Sequence, residues 1–257
     1  MTGQAWELVL GLVLVALLAG VAVAKRYLTV AGAVVGAIIG LGILVAGGLG
    51  WLVLLASFTL LGSALTRVGS GVKGTPSLSG ADRGARNVLA NGLPPLAFAV
   101  AYSLVPGRPW PLAFAAAVAA ATSDTVSTEI GMLSRSRPRR ITRPWESVRP
   151  GTSGGVSALG TMAGLLAAAA IAAIAWALGL LGSPSQFALA TLLGFLGNVV
   201  DSLLGDLAEL RYLCGGELLD DPSGCQGNAS ATGSPLVNNH VVNAVAISLA
   251  GALALLF

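Results

Sequence analysis

The chain has 257 residues, 55% of them hydrophobic and only 10% charged, and a formal net charge of +3. A soluble domain of this size carries about 25% charged residues, so the composition excludes a protein whose surface mostly meets water. The apolar runs are about 17–25 residues long rather than alternating ten-residue segments, which selects membrane helices over a transmembrane β-barrel.

Eight membrane segments are predicted in chain order: 6–24, 29–46, 49–66, 88–105, 111–132, 156–182, 186–207 and 236–257. The second and third are short enough to be tilted or partly re-entrant. The 35 glycines, with many alanines, suit close helix packing in lipid, where backbones must approach to gain dispersion energy. The expected fold is all-α, a polytopic transmembrane bundle of about eight helices (seven to nine), forming one integral membrane domain over 1–257.

Charge placement sets the expected orientation. No Lys or Arg precedes the first apolar run, so it does not read as a cleaved signal peptide. Thirteen of the fourteen Lys and Arg residues fall in the connections after the first, third, fifth and seventh segments; only Arg108 falls on the other side. The positive-inside rule then puts both termini outside and the basic loops in the cytoplasm of a plasma or inner membrane.

The polar residues gather at the cytoplasmic helix ends. Asp124 and Glu129 close the fifth segment, and Asn198, Asp201, Asp206 and Glu209 close the seventh. A carboxylate in hydrocarbon costs at least about 2.5–3.5 kcal/mol, so each needs a partner, a proton or a metal. Mg²⁺, which takes oxygen ligands, is the expected metal, with Asp124, Glu129, Asp201 and Asp206 as candidate ligands. Asn198 and Asp201 share a helix face. Acids five apart stand about 140° apart, so both members of a pair meet one ion only if the helix unwinds, which Gly205 would ease. Otherwise one acid of each pair faces the site and the other supports it.

Three further stretches join them. Arg149, Pro150, Gly151, Thr152, Ser153, Gly154 and Gly155 open the sixth segment, and such a run suits phosphate binding by backbone N–H groups and hydroxyls, although it lacks the lysine of a Walker A loop. Arg83, Arg86, Asn87 and Asn91 lead into the fourth segment, the arginines suited to phosphate and the two amides on one face. Asn239 and Asn243 share a face at the start of the last segment, beside His240, the only histidine. The arginine-rich loop 135–149 suits contact with anionic headgroups of membrane lipids. Cys214 and Cys225 are too few for a disulfide framework and lack the neighbours of a zinc site.

In order, Arg83…Arg86-Asn87-Val88-Leu89-Ala90-Asn91-Gly92, Ser123-Asp124-Thr125…Glu129-Ile130-Gly131, Gly151-Thr152-Ser153-Gly154-Gly155-Val156-Ser157, Gly197-Asn198…Asp201-Ser202 and Asn238-Asn239…Val242-Asn243 resemble one integral-membrane family. It includes the plastid phytyl-phosphate kinase of vitamin E synthesis and the animal transmembrane protein nineteen. The resemblance spans essentially the whole chain. It implies a lipid kinase that moves the γ-phosphate of CTP or ATP to an isoprenyl monophosphate, of the phytyl or geranylgeranyl kind, giving the diphosphate. Asp124, Glu129, Asp201 and Asn198 would then be catalytic, and Arg83, Arg86, Asn87, Asn91, Arg149, Thr152, Ser153, Gly154, Gly155, Asn239 and Asn243 would bind substrate or nucleotide. His240 departs from the acid expected in relatives. The other classes open to this pattern are a cation-coupled transporter or flippase and a lipid-phosphate nucleotidyltransferase. Nucleic acid is not an expected partner.

Overall fold

The computed structural model describes residues 3–73, 84–215, 217–219 and 230–257. Arg83 and Cys225 lie outside the described residues. The described chain forms eight helices, as the apolar runs predict: α1 (Gly3–Ala24), α2 (Val30–Gly47), α3 (Leu49–Lys73), α4 (Ala85–Leu104), α5 (Trp110–Gly131), α6 (Ala158–Ala177), α7 (Pro184–Ala208) and α8 (Asn239–Ala254). Ala5–Ala24, Val30–Gly47, Ala158–Ala177 and Pro184–Ala208 are each long and apolar enough to cross a bilayer. The third helix runs on past its predicted end at 66, through Arg67 to Lys73.

Two small antiparallel sheets occupy the connections. β1 (Arg139–Arg140) pairs with β2 (Gly155–Val156), closing the α5–α6 connection into a hairpin. β3 (Arg211–Cys214) lies between β4 (Glu217–Leu219) and β5 (Ser230–Thr232) after α7. Cys214 on β3 is disulfide-bonded.

The bundle is built round α5, which packs against α3, α4, α6, α7 and α8. Every residue from Leu112 to Ser123 is buried, and most are alanine. A helix apolar on all sides belongs in the middle of a bundle, and alanine lets five neighbours approach at once. The neighbours answer with glycine. A Cβ on Gly194 of α7 would stand 2.5 Å from the Ala119 Cβ, and one on Gly197 would stand 2.6 Å from that of Ala120. On α6, Gly160 and Gly164 are one turn apart; a Cβ on Gly160 would lie 2.7 Å from the Ser127 carbonyl oxygen and 3.0 Å from the Gly131 Cα.

Helix ends follow local chemistry. Thr29, Ser157, Ser183 and Asn238 each accept a hydrogen bond from a backbone N–H in the first turn of α2, α6, α7 and α8. In α4, Pro94 and Pro95 remove two backbone donors, so the carbonyls of Ala90 and Asn91 lose their usual helical partners.

The glycine contacts predict a contrast. Gly194→Val should destabilise the folded protein by about 1–3 kcal/mol, because the side chain has to enter the α5–α7 contact. Gly20→Ala, where nothing lies within 4 Å of the new Cβ, should leave stability unchanged or slightly raised. Thermal unfolding in detergent micelles distinguishes them; equal melting temperatures would contradict the packing.

Candidate functional site

Helices α5, α6 and α7 meet at Gly164. A Cβ there would fall 2.6 Å from the Asn198 amide nitrogen, 3.0 Å from the Ser123 hydroxyl and 3.1 Å from the Ser127 Cβ. The missing side chain leaves room for those polar groups, and Ser123 donates to the Gly164 carbonyl at 2.9 Å. Asn198 is buried, and one turn further along α7 so is Asp201. The Asn243 amide, turned with its nitrogen toward Asp201, donates to Oδ2 at 2.9 Å and to the Asn239 carbonyl at 3.0 Å. The charges of Asp124 and Glu209 act on Asp201. Among the described residues no Lys or Arg forms an ion pair with Asp201. Two carboxylates, Asp124 and Asp201, together with buried amides from α7 and α8, therefore form one polar centre.

Asp206, also expected as a metal ligand, has a different environment. Its Oδ1 accepts from Arg140 at 2.8 Å and from Arg211 at 3.0 Å, while Oδ2 accepts from the Thr142 backbone N–H at 3.2 Å and from the Thr142 hydroxyl. Arg211 also donates to the Asp206 carbonyl. Both oxygens are saturated by two guanidiniums and a hydroxyl, so this carboxylate clamps the α5–α6 hairpin and β3 to the end of α7. The helix stays regular through 201–206, so the two acids point to different faces, as the 140° spacing requires. Asp201 faces the centre and Asp206 supports the structure. In α5, Glu129 is likewise buried five positions beyond Asp124. Among the described residues no three of His, Cys, Asp and Glu are grouped to hold a metal ion, so the four-carboxylate set is not assembled. A pair of carboxylates is still a fitting donor set for Mg²⁺, which commonly takes one or two from the protein and the rest from phosphate and water.

The glycine-rich run also proves to be a packing device. Gly154 adopts φ +76°, and a Cβ on it would lie 2.7 Å from the Asp206 Cα. Gly205, expected to ease unwinding, instead makes room on the helix for Ser153, which donates to Glu209 Oε2 at 2.5 Å. The Thr152 and Gly155 N–H groups are spent inside the turn, on the carbonyls of Arg149 and Thr152. Because β2 intervenes before the α6 cap at Ser157, the run is not the helix N-terminus that the phosphate-cradle reading assumes.

The fourth-helix residues belong to a groove. Helices α1 to α4 flank a half-open groove with a cavity of about 100 Å³, walled by apolar residues such as Val15, Ile39, Leu52 and Phe58, with Asn87 and Asn91 among its few polar groups. Asn91 donates to the Asn87 carbonyl at 2.9 Å. Arg86, beside Asn87, is exposed, and its charge acts on His240 at the start of α8. The groove's α4 wall and the carboxylate centre lie on neighbouring elements, since α4 packs against both α5 and α8.

Sequence reasoning missed the roles of Thr142, of Arg140, which had been read as topology or headgroup contact, and of Arg211, read only as topology. It also left Glu146 unassigned. That carboxyl is held below the usual carboxylate range by the hydrogen bond from Arg140, with Arg143 assisting.

The sequence profile of a family described as integral membrane protein DUF92 matches residues 13–251. An uncharacterised membrane protein of Methanocaldococcus jannaschii is 43% identical over 122 residues, 47% of this chain and 50% of that one. An uncharacterised membrane protein of Synechocystis is 34% identical over 145 residues, 53% and 55% of the two chains. The chain spans about half the length of the curated relatives it matches. No solved structure matches.

The two acids of α7 should respond oppositely to neutralisation. Asp206→Ala strands the buried Arg211 guanidinium, leaves Arg140 with Glu146 alone, and should cost about 3–5 kcal/mol of stability. Asp201→Asn removes an unpaired buried charge, so stability should hold or rise. Melting of the purified variants in detergent checks both; a severe loss for Asp201→Asn with none for Asp206→Ala would reverse the assignment.

Proposed function

The chain belongs to the integral membrane DUF92 family, and on that premise we propose that it is a lipid kinase that phosphorylates an isoprenyl monophosphate. The observation that carries this reading is an apolar groove among α1 to α4, with Asn87 and Asn91 on its α4 wall, beside a two-carboxylate centre on helices that pack against α4 and α8. A hydrophobic tail would fill the groove, and its phosphate would lie near Asn87, Asn91 and Arg86. The resemblance to phytyl-phosphate kinase supplies the isoprenoid class and the choice of CTP or ATP as donor.

Phosphoryl transfer depends on positioning and charge neutralisation more than on covalent chemistry. Asp124 and Asp201 would hold Mg²⁺, with Asn243 fixing the Asp201 carboxylate and Asn198 orienting a phosphate oxygen. When bound, the ion would offset the charge of donor and acceptor phosphates. Arg86 would add positive charge at the acceptor. An oxygen of the prenyl monophosphate attacks the γ-phosphorus, the bond to the β-phosphate oxygen breaks, and a nucleoside diphosphate leaves. That acceptor oxygen is already anionic, so no general base is needed.

The site is proposed to face the cytoplasm, with both termini outside, on the thirteen-to-one division of basic residues. The disulfide at Cys214 is unusual for that compartment, which keeps thiols reduced. The charge bias extends over four connections against one bond, and the proposed orientation follows it. Single-cysteine labelling of intact cells should modify positions 183–185 and leave 135–149 protected; the inverse pattern would overturn the orientation.

The reaction is tested with purified protein, Mg²⁺, labelled nucleotides and paired prenyl alcohols and monophosphates of fifteen to twenty carbons. We expect the monophosphate to become the diphosphate, and Asp201→Asn and Asp124→Asn each to lower kcat by about 10²-fold or more. Pyrophosphate release with a nucleotidyl-lipid product would instead identify a nucleotidyltransferase. Absence of turnover with any prenyl acceptor, alongside cation-coupled solute uptake in liposomes, would identify a carrier.

A further inference from the structure

The groove among α1 to α4 has a closed end, and the glycines of α2 show where it lies. α2 packs against α1, α3 and α4, and its residues run along the groove. At Gly36, among the described residues, a Cβ would meet nothing closer than the Val88 Cγ1 at 3.6 Å, so the space beside it is open. One turn on, a Cβ at Gly40 would stand 3.3 Å from the Val15 Cγ2 of α1 and 3.4 Å from the Leu52 Cδ1 of α3. Val15 and Leu52 form one buried cluster with Leu44. Beyond that cluster a Cβ on Gly11 would run into the Leu44 side chain, so α1 lies directly on α2 there. Three helices thus converge at Val15, Gly40 and Leu52 and close the groove.

The two ends differ in polarity. The polar lining residues, Asn87, Asn91, Thr59 and Ser63, come from the first two turns of α4 and the middle of α3. Val15, Ile39 and Leu52 line the other end. From Ser63 to Leu52 the α3 wall spans about 16 Å, at a helical rise of about 1.5 Å per residue. That is roughly half of a hydrocarbon core about 30 Å thick. A cavity of about 100 Å³ drawn out over that length is narrow; a compact void of about 150 Å³ holds a single benzene. The shape admits one flexible chain and no fused rings, and the polarity orients that chain with its head at the α4 end.

We propose that the groove gauges the tail of the acceptor lipid, holding one chain whose terminal carbons rest against Val15, Gly40 and Leu52. The proposal rests on the reading of the groove as the tail site. A tail as long as the groove seats fully, with neighbouring lipid completing the open side. A longer tail has to bend out through that side, and its end leaves the floor. The excess gains nothing there, because lipid chains are as apolar as the groove. Gly36, short of the floor, keeps the passage open, and Leu52 sets its depth.

Photolabelling of the full chain in nanodiscs tests this without nucleotide. Two probes carry a diazirine on the terminal carbon: dodecyl monophosphate, whose extended chain is about as long as the groove, and the much longer tetracosyl monophosphate. Labelled residues are mapped by mass spectrometry. The dodecyl probe should label Val15 and Leu52; the tetracosyl probe should label exposed residues such as Leu17 and Leu60 instead. Gly36→Leu should lower dodecyl labelling of the floor by roughly tenfold, and Gly20→Leu, the same bulk where nothing lies within 4 Å of the Cβ, by about twofold at most. Leu52→Ala is the second variant, for the case that Gly36→Leu does not fold: it opens the floor, and the dodecyl label should move on to Leu44. Equal floor labelling by both probes, labelling confined to exposed residues, or a floor label unmoved by either variant would overturn the proposal. Turnover of prenyl monophosphates without a floor label would leave the kinase reading standing and remove the gauge; a floor label without turnover would do the reverse.

Discussion

Two carboxylates one and a half turns apart on α7 face the same constraint: an ionised acid cannot be removed from water without something to replace its hydration. Asp206 meets it inside the protein, with Arg140, Arg211 and Thr142. Asp201 does not. Its donor is the neutral amide of Asn243, and the charges that act on it are those of two other acids. The first arrangement closes the structure; the second leaves a demand for positive charge that a ligand can fill. Much of the end of the bundle follows from the first arrangement, including the course of the hairpin and the seat of β3.

Holding the asymmetry in register requires helices that do not slide. Alanine along α5 and glycine on α6 and α7 bring backbones close enough for small shifts to produce clashes. Gly164 illustrates the link from sequence to site: it belongs to the glycine pair that packs α6 on α5, and its absent side chain is also what admits Asn198 and Ser123 to the centre. Packing and chemistry use the same residue, so a change made for one alters the other.

The helices were legible in the sequence because hydrocarbon demands long apolar runs, and these carry their own boundaries. The end of α3 was not, since a helix leaving the bilayer no longer needs apolar residues and the pattern fades while the hydrogen bonding continues to Lys73. In the site, Asp124, Asp201, Asn198 and Asn243 were legible as polar residues where polarity is costly. The packing of the glycine run was not legible for a physical reason: glycine permits the close approach of any backbone, phosphate or helix, and only the fold says that α7 occupies the place beside Gly154. Arg140 was hidden because its partner lies 66 positions away and because positive charge at a helix end is already explained by topology.

The central claim is that Asp201, and not Asp206, awaits a cation. Manganese can stand in for magnesium and reports its own binding by electron paramagnetic resonance, without nucleotide or lipid. The account predicts that Mn²⁺ binds the purified protein, that Asp201→Asn weakens it by roughly tenfold or more, and that Glu146→Gln, outside the bundle, does not. Undiminished binding in Asp201→Asn would contradict it.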